Sequence, residues 1–594
     1  MIWTLLLACG GGCSQGPSGD GGQLGQGVMW PFPNADLVAD GHLDIPSDQV
    51  PYVDTPMPTE RLSWRTGFSP VQTALVRLED VNLDALPQPN SGLGGSVRIV
   101  DMDTGNELLC FAEVDNDAAA FEPALLIRPQ EPMPVGHRIA VVVMTDAAAR
   151  PERVQVLLDG DVPEDISIEQ ANHYVALYED LDALGIPMDS IAVAWDFPIG
   201  DPTGTLRQVM AGTEVPQAWS VTKVVDSDDD PGALPDGVWR KITGTYTTTN
   251  WLPDDFLLDL EPDGTVHPAG TVEAELYIQV PESVRNKEPG TVPIVVFGHG
   301  LLRDPAMILN DDEDTGHFVE LFNRMEVIVV ATTWRGLTRK DSPDVVWAAN
   351  DMGRFPEVTE RLHQGVANTS ALSRMVVDGD LLDEPALEGL GDPSQVSYYG
   401  VSLGGIMGGV TVANSPWIER AVLHVAGSNW GLTFTRSANY KDFGTLVEDG
   451  IRDPTDRQLL YAVTQLYWDP VDPANYGAEL SDREVLVQYA VYDDEVSNLG
   501  TELLARAAGW PLINPSSTSP PDLASGTCPM TAPAIVQFDP LLGDSDNGNQ
   551  PSTVTGAHRE PRKWESAKLQ SIDFLVDEPG VINHYCGSEV CTPE

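Results

Sequence analysis

Ser394-Gln-Val-Ser-Tyr-Tyr-Gly-Val-Ser-Leu-Gly-Gly-Ile-Met-Gly-Gly-Val-Thr-Val-Ala413 is the stretch on which the reading of this chain turns. Its first residues have strand composition. Its last are small and apolar, as in a helix lying close on a sheet. Between them Gly400-Val-Ser-Leu-Gly404 matches Gly-x-Ser-x-Gly. In a nucleophile elbow the serine occupies a strained strand-to-helix turn, and the glycines let the helix approach the strand. The pattern alone is weak, because Gly12-Cys-Ser-Gln-Gly16 matches as well. That second match lies in a Gly- and Ser-rich stretch with no strand before it. Context therefore selects Ser402 as the candidate nucleophile.

The strands around this turn give the fold class. Val292-Pro-Ile-Val-Val-Phe297, Met325-Glu-Val-Ile-Val-Val-Ala-Thr332, Arg420-Ala-Val-Leu-His-Val425 and Val485-Leu-Val-Gln-Tyr-Ala-Val491 are near-continuous apolar runs. Strands buried on both faces of a parallel sheet read this way. Helix-compatible segments at 317–324 and 360–376 alternate with them, which predicts an α/β-hydrolase fold over 290–594. Residues 428–480, rich in Trp, Tyr and Pro, are expected to form a cap over a pocket.

An acyl-transfer site needs donors for the oxyanion. The backbone N–H of Leu403 follows the nucleophile. Phe297-Gly-His-Gly-Leu301 follows the first apolar strand, and the N–H of Leu301 is the second candidate. His299 reads as a structural residue of that loop. The other triad members should follow in the order Ser, acid, His. Tyr492-Asp-Asp-Glu-Val496 stands at the end of a strand, with Asp493 the favoured acid and Asp494 its competitor. Only His558 and His584 lie downstream. His558 precedes a helix-like run at 563–576 and is the candidate base. His424 lies inside a strand and before the acid, so it reads as core.

Residues 28–225 predict a β-sandwich of immunoglobulin-like type with a helical insertion near 167–184. An acidic linker and β-rich connector spans 226–289. Its Asp226-Ser-Asp-Asp-Asp230 run offers clustered oxygens for calcium but lacks the spacing and closing Glu of an EF-hand, so a solvated linker is the preferred reading. No other cofactor or metal is expected. Cys586 and Cys591 are spaced for a disulfide, with no second pair to make a zinc site. The partners of Cys110 and Cys528 stay open.

Leu6-Leu-Ala-Cys9 resembles a bacterial lipobox, which implies lipidation at Cys9, a signal segment over 1–9 and a flexible tether over 10–27. The expected location is an exported, outer-membrane or cell-surface lipoprotein, or a secreted protein. The membrane is then met through an N-terminal lipid anchor. A net charge of -57, with 33 basic residues in 594, disfavours nucleic acid as a partner.

Taken in order, these segments resemble exported bacterial lipases and esterases with a virulence-factor-lipase type N-terminal domain. Pro31-Phe-Pro-Asn-Ala-Asp-Leu37, Thr66-Gly-Phe-Ser-Pro70 and Pro132-Met-Pro-Val-Gly136 carry the N-terminal echo. Gly298-His-Gly-Leu301, Thr333-Trp-Arg-Gly-Leu337, Gln364-Gly-Val-Ala-Asn368 and 400–405 carry the hydrolase half. The resemblance implies a serine ester hydrolase acting on a lipid or small ester, with phospholipase or lysophospholipase activity within its range. The alternatives are a surface adhesion protein with an inactive hydrolase domain, and a peptidase or polyester depolymerase on the same triad.

Overall fold

A computed structural model describes residues 29–593 apart from 117–122, 164–165, 231, 309–315, 419, 532 and 544–547. The signal segment, the tether, Cys9 and Cys13 lie outside the described residues. No helix among those described is long and apolar enough to cross a membrane.

One eleven-stranded sheet organises the chain. Its strands in chain order are Trp219–Asp226 (β1), Val238–Thr249 (β2), Thr271–Pro281 (β3), Val292–Gly298 (β4), Ile328–Ala331 (β5), Gly391–Val401 (β6), Arg420–His424 (β7), Glu484–Ala490 (β8), Leu512–Asn514 (β9), Ser525–Thr527 (β10) and Ala534–Phe538 (β11). The spatial order is β1-β2-β3-β5-β4-β6-β7-β8-β11-β9-β10. From β5 to β10 every pairing is parallel. The apolar runs of the sequence are buried here on both faces, as parallel strands covered by helices must be.

The first three strands pair antiparallel, and β3 joins the parallel part through Tyr277 opposite Ala331. Residues 226–289 are therefore not a connector, because they supply two strands of the sheet. Strand β1 in turn lies inside the range assigned above to the N-terminal domain. The reason is visible in the side chains. β1 has no buried residue and β2 is buried only at intervals, so neither reads as part of a buried parallel sheet.

Helices cover both faces: Gly316–Met325 (α1), Ser342–Asn350 (α2), Pro356–Val377 (α3), Leu403–Asn414 (α4), Trp430–Arg436 (α5), Tyr440–Gly450 (α6), Pro454–Trp468 (α7), Asn498–Ala508 (α8) and Glu565–Ile572 (α9). Helix α3 is buried almost all round, polar residues included. Each buried polar group needs a partner there. Glu360 takes Arg61 at 2.6 Å, and Gln364 accepts from the Trp251 N–H at 2.8 Å.

Besides the short antiparallel pair of Val38–Ala39 with His42–Leu43, the described N-terminal part holds two larger antiparallel sheets. One pairs Ala74–Arg77, Ala124–Pro129 and Cys110–Val114; the other pairs Glu107–Leu108, Val97–Asp101, Arg138–Met144 and Ile191–Pro198. Their first two long strands fall in different sheets, whereas an immunoglobulin sandwich keeps them side by side. The Pro- and Gly-rich segment 78–96 carries the chain across. Helix Ile168–Ala183 begins at Ser167 through a capping box with Gln170.

This N-terminal layer sits on α7 and the residues just after it. Arg65, fully buried, pairs with buried Asp469 at 2.6 Å, and Ser69 Oγ donates to the same carboxylate. Gln72 donates to the carbonyl of Ala462 in α7. Cys586 and Cys591 form a disulfide, while Cys110 and Cys528 are free.

Candidate active site

The elbow is where the backbone is forced. Ser402, at the junction of β6 and α4, has φ 57° and ψ -121°. A non-glycine residue held there costs on the order of 1–3 kcal/mol, stored by the surrounding structure. That structure is close-packed glycine. A Cβ on Gly404 would lie 2.1 Å from the carbonyl oxygen of Gly298, and one on Gly400 would lie 2.0 Å from the carbonyl oxygen of Gly404. Tyr398 Oη donates to that Gly404 carbonyl at 2.6 Å. The helix is thus pinned onto β4 and β6, and the Ser402 N–H is held by the His424 carbonyl at 2.9 Å.

Left-handed backbone recurs along the same edge. Leu302 follows β4, Val425 follows β7 and Tyr492 follows β8, all with positive φ. These are the carboxyl ends of parallel strands, where open α/β sheets place their sites. With Ser402, four of the twelve described non-glycine residues with positive φ thus stand on this rim of the sheet.

The run Asp493-Asp494-Glu495 divides three tasks that its sequence leaves undivided. Asp493 accepts from His558 Nδ1 at 2.8 and 2.9 Å, and from the backbone N–H of Glu495 and Val496. Among the described residues Asp494 bonds backbone and no side chain. Its carboxylate accepts the N–H of Thr555, Gly556 and His558 at 2.8–3.0 Å, so it fixes the loop that carries the imidazole. Burial pushes its pKa up, and the three N–H groups more than reverse this, leaving it lowered. Glu495 reaches the other side of the ring, with Oε2 3.8 Å from His558 Nε2.

His558 is buried in the short turn Ala557–Arg559. With Nδ1–H donated to Asp493, the lone pair of a neutral ring sits on Nε2. That nitrogen is buried and has no hydrogen-bond partner among the described residues. Desolvation disfavours the charged ring, but the Asp493 and Glu495 carboxylates outweigh it, so the pKa is raised above the ordinary imidazole value.

The remaining histidines sort by their surroundings. His299 donates Nδ1–H to the Gly300 carbonyl at 2.8 Å and accepts the Trp334 N–H on Nε2, and burial lowers its pKa to about 4. Both ring nitrogens are used to hold the loop. His424 is buried against Gln488, with a pKa near 3 for the same reason. His584 lies beside the Cys586–Cys591 disulfide, 3.7 Å from Cys591 Sγ.

Ser402, Leu301, Leu403 and Glu495 line one pocket with about 640 Å³ of empty space, part of it open to solvent. Leu403 is the first residue of α4, so its N–H has no intrahelical acceptor. Gly300 packs beside Ser402, with its would-be Cβ 3.7 Å from the serine Cβ. Trp430 and Phe434 of α5 and Tyr440 and Phe443 of α6 close the far wall. The wall is set from behind. Buried Asp472 accepts the N–H of Asn429 and Trp430, and Asn429 Nδ2 donates to the Val71 carbonyl of the N-terminal layer. Burial raises the Asp472 pKa to about 6.

The acidic run at 226–230 spends carboxylates on arginines: Asp226 on Arg240 at 2.6 Å and Asp228 on Arg285.

No family model and no curated protein matches the chain. Among solved structures, acetyl xylan esterase 1 from Thermoanaerobacterium sp. JW/SL YS485 is 13% identical over 57% of this chain and 88% of that one, with a TM-score of 0.33. Carboxyl esterase 2 from the mycorrhizal fungus Tuber melanosporum is 15% identical over 51% and 82%, with a TM-score of 0.30. The Pyrococcus horikoshii acylaminoacyl peptidase is 11% identical over 57% of this chain and 48% of that one, with a TM-score of 0.30. Likeness of this size assigns neither a family nor an activity. The reading of the site rests on its own geometry.

Proposed function

We propose that this protein is an α/β-hydrolase that cleaves carboxylic esters through a Ser402–His558–Asp493 triad. One observation carries the reading: a serine held at φ 57° between a parallel strand and a glycine-packed helix, on the same sheet rim as a buried, carboxylate-oriented imidazole. His558 Nε2 takes the Ser402 Oγ proton as Oγ attacks the ester carbonyl. Asp493 holds the tautomer and stabilises the imidazolium. The Leu301 and Leu403 N–H groups receive the oxyanion. The alcohol leaves with the His558 proton, and water then attacks the acyl-enzyme by the same path in reverse. The apolar wall of Trp430, Phe434, Tyr440 and Phe443 suits an acyl chain or another apolar ester group.

The test is Ser402→Ala against p-nitrophenyl butyrate. A fall in kcat of about 10³-fold or more is expected, with urea unfolding unchanged. Undiminished turnover refutes the assignment. An acyl-length series run beside peptide and polyester substrates separates an esterase from a peptidase or depolymerase.

The proposal extends to export. Cleavage before Cys9 and thiol acylation would anchor the enzyme to a membrane surface. Metabolic labelling with a fatty acid, lost in Cys9→Ala, tests this.

A further inference from the structure

Glu495 has no role in the triad as drawn, yet among the described residues lining the pocket it is the one that is charged. Leaving a carboxylate in a mostly apolar wall is costly unless it is paired. It is paired on two sides. Asn439 Nδ2, at the start of α6, donates to Oε2 at 2.8 Å. Arg559 approaches Oε1 with Nε at 3.2 Å and Nη2 at 3.1 Å. The third neighbour is the imidazole of His558, whose Nε2 lies 3.8 Å from Oε2. Asp493 holds Nδ1 at 2.8 Å. Two carboxylates therefore bracket one buried ring, one at each nitrogen.

We propose that Glu495 is a positioning residue for His558, a second carboxylate that steadies the ring and its protonated form from the Nε2 side. The inference rests on the hydrolase reading above. When Ser402 Oγ–H passes its proton to Nε2, the new positive charge lies between Asp493 and Glu495 rather than against one of them. The gain carries a cost. A ring stabilised as imidazolium stays protonated to higher pH and cannot act as a base there.

The other groups facing the ring set the size of the effect. Asp494 comes from the same loop after β8 but binds backbone N–H groups. Arg562, on the segment that carries His558, opposes protonation. His424 on β7 is held neutral by burial. At the start of α6 stands the neutral amide of Asn439, which donates to Glu495.

The experiment uses the full chain with Glu495→Gln, Glu495→Asp and, as a control, Glu560→Gln. Glu560 bridges Lys563 and is part-exposed, two residues from His558. Two readouts are taken: the NMR titration of the His558 ring, assigned by its loss in His558→Gln, and the pH profile of kcat/KM on p-nitrophenyl butyrate. Glu495→Gln is expected to lower the His558 midpoint by about one pH unit, the low end for one opposite charge at this range because Arg559 offsets part of it. The acid limb of kcat/KM should move with it. One unit below the wild-type midpoint, Glu495→Gln should then be about fivefold faster than wild type relative to their plateaus. Glu495→Asp restores most of the shift, and Glu560→Gln moves neither readout. A Glu495→Gln midpoint within about 0.3 units of wild type, or an equal shift in Glu560→Gln, overturns the proposal. Because the ring titration needs no turnover, a clear midpoint shift in Glu495→Gln supports the Glu495–His558 coupling even where the wild-type protein cleaves no ester, and that lack of turnover refutes the hydrolase reading instead.

Discussion

Asp493 and Asp494 are neighbours, and both bond to His558, but removing them should have different consequences. Asp494→Ala deletes the acceptor for three backbone N–H groups, those of Thr555, Gly556 and His558. Hydrogen bonds to a charged group contribute about 1.5 kcal/mol each at the low end of their range, about 4.5 kcal/mol for the three before water replaces any of them. Thr555 and Gly556 lie on a part-buried loop where water can replace the lost acceptor. The net loss should be about 3 kcal/mol. It should appear as loosening of residues 555–558, which line no part of the pocket. The substrate wall is untouched, so KM for p-nitrophenyl butyrate should stay within about twofold while kcat falls about 10²-fold. Amide hydrogen exchange should rise at 555–558. Asp493→Asn keeps the loop and loses the ring partner, so its kcat should fall about 10⁴-fold with little change in exchange. An Asp494→Ala protein with wild-type kcat and a protected loop would falsify the division of labour. So would Asp493→Asn exchanging faster than Asp494→Ala.

Further expectations follow from single contacts. Gly404→Ala places a methyl 2.1 Å from the Gly298 carbonyl oxygen, so urea denaturation should show a loss of about 3 kcal/mol, or no folded protein. Asp469→Asn breaks a fully buried pair with Arg65; a loss of about 3–5 kcal/mol is expected, with limited proteolysis cutting between the N-terminal layer and the cap before the sheet itself. The raised His558 pKa places the acid limb of serine labelling by a fluorophosphonate above the ordinary imidazole value of about 6.5. The rate should fall as pH drops through that raised pKa, because the base is then protonated. The same shift has the opposite effect on stability: the charged ring favours the fold below the ordinary pKa, and that contribution is lost as pH rises through the raised one.

The parallel half of the sheet was legible because its strands are buried on both faces, and burial on both faces leaves an unbroken apolar run in the sequence. Ser402 was legible for a related reason. Only glycine tolerates the contacts at 298, 400 and 404, so packing wrote itself into residue type. The helix after Ser167 was legible through the helical spacing of its apolar residues, Ala171, Leu177 and Leu181 among them. Of the antiparallel strands before β4, β1 was assigned to the N-terminal domain and β2 and β3 to a β-rich connector, because alternation marks a strand without telling which sheet it joins. The strand order of the N-terminal layer was hidden likewise, since pairing across 78–96 is a long-range choice.

The sequence by itself determined the kinds of residue the site contains: a serine in a glycine turn, acids after a strand, a histidine behind them. Those follow from local backbone demands and chain order. Only the tertiary structure decided what each carboxylate in Asp493-Asp494-Glu495 does. One binds a ring nitrogen, one binds three backbone N–H groups, and one faces the opposite nitrogen from the pocket wall. Three adjacent acids look alike along a chain. They differ in direction, and direction is set by the left-handed turn at Tyr492 and by the loop from residue 555 that folds back onto it from more than sixty residues away.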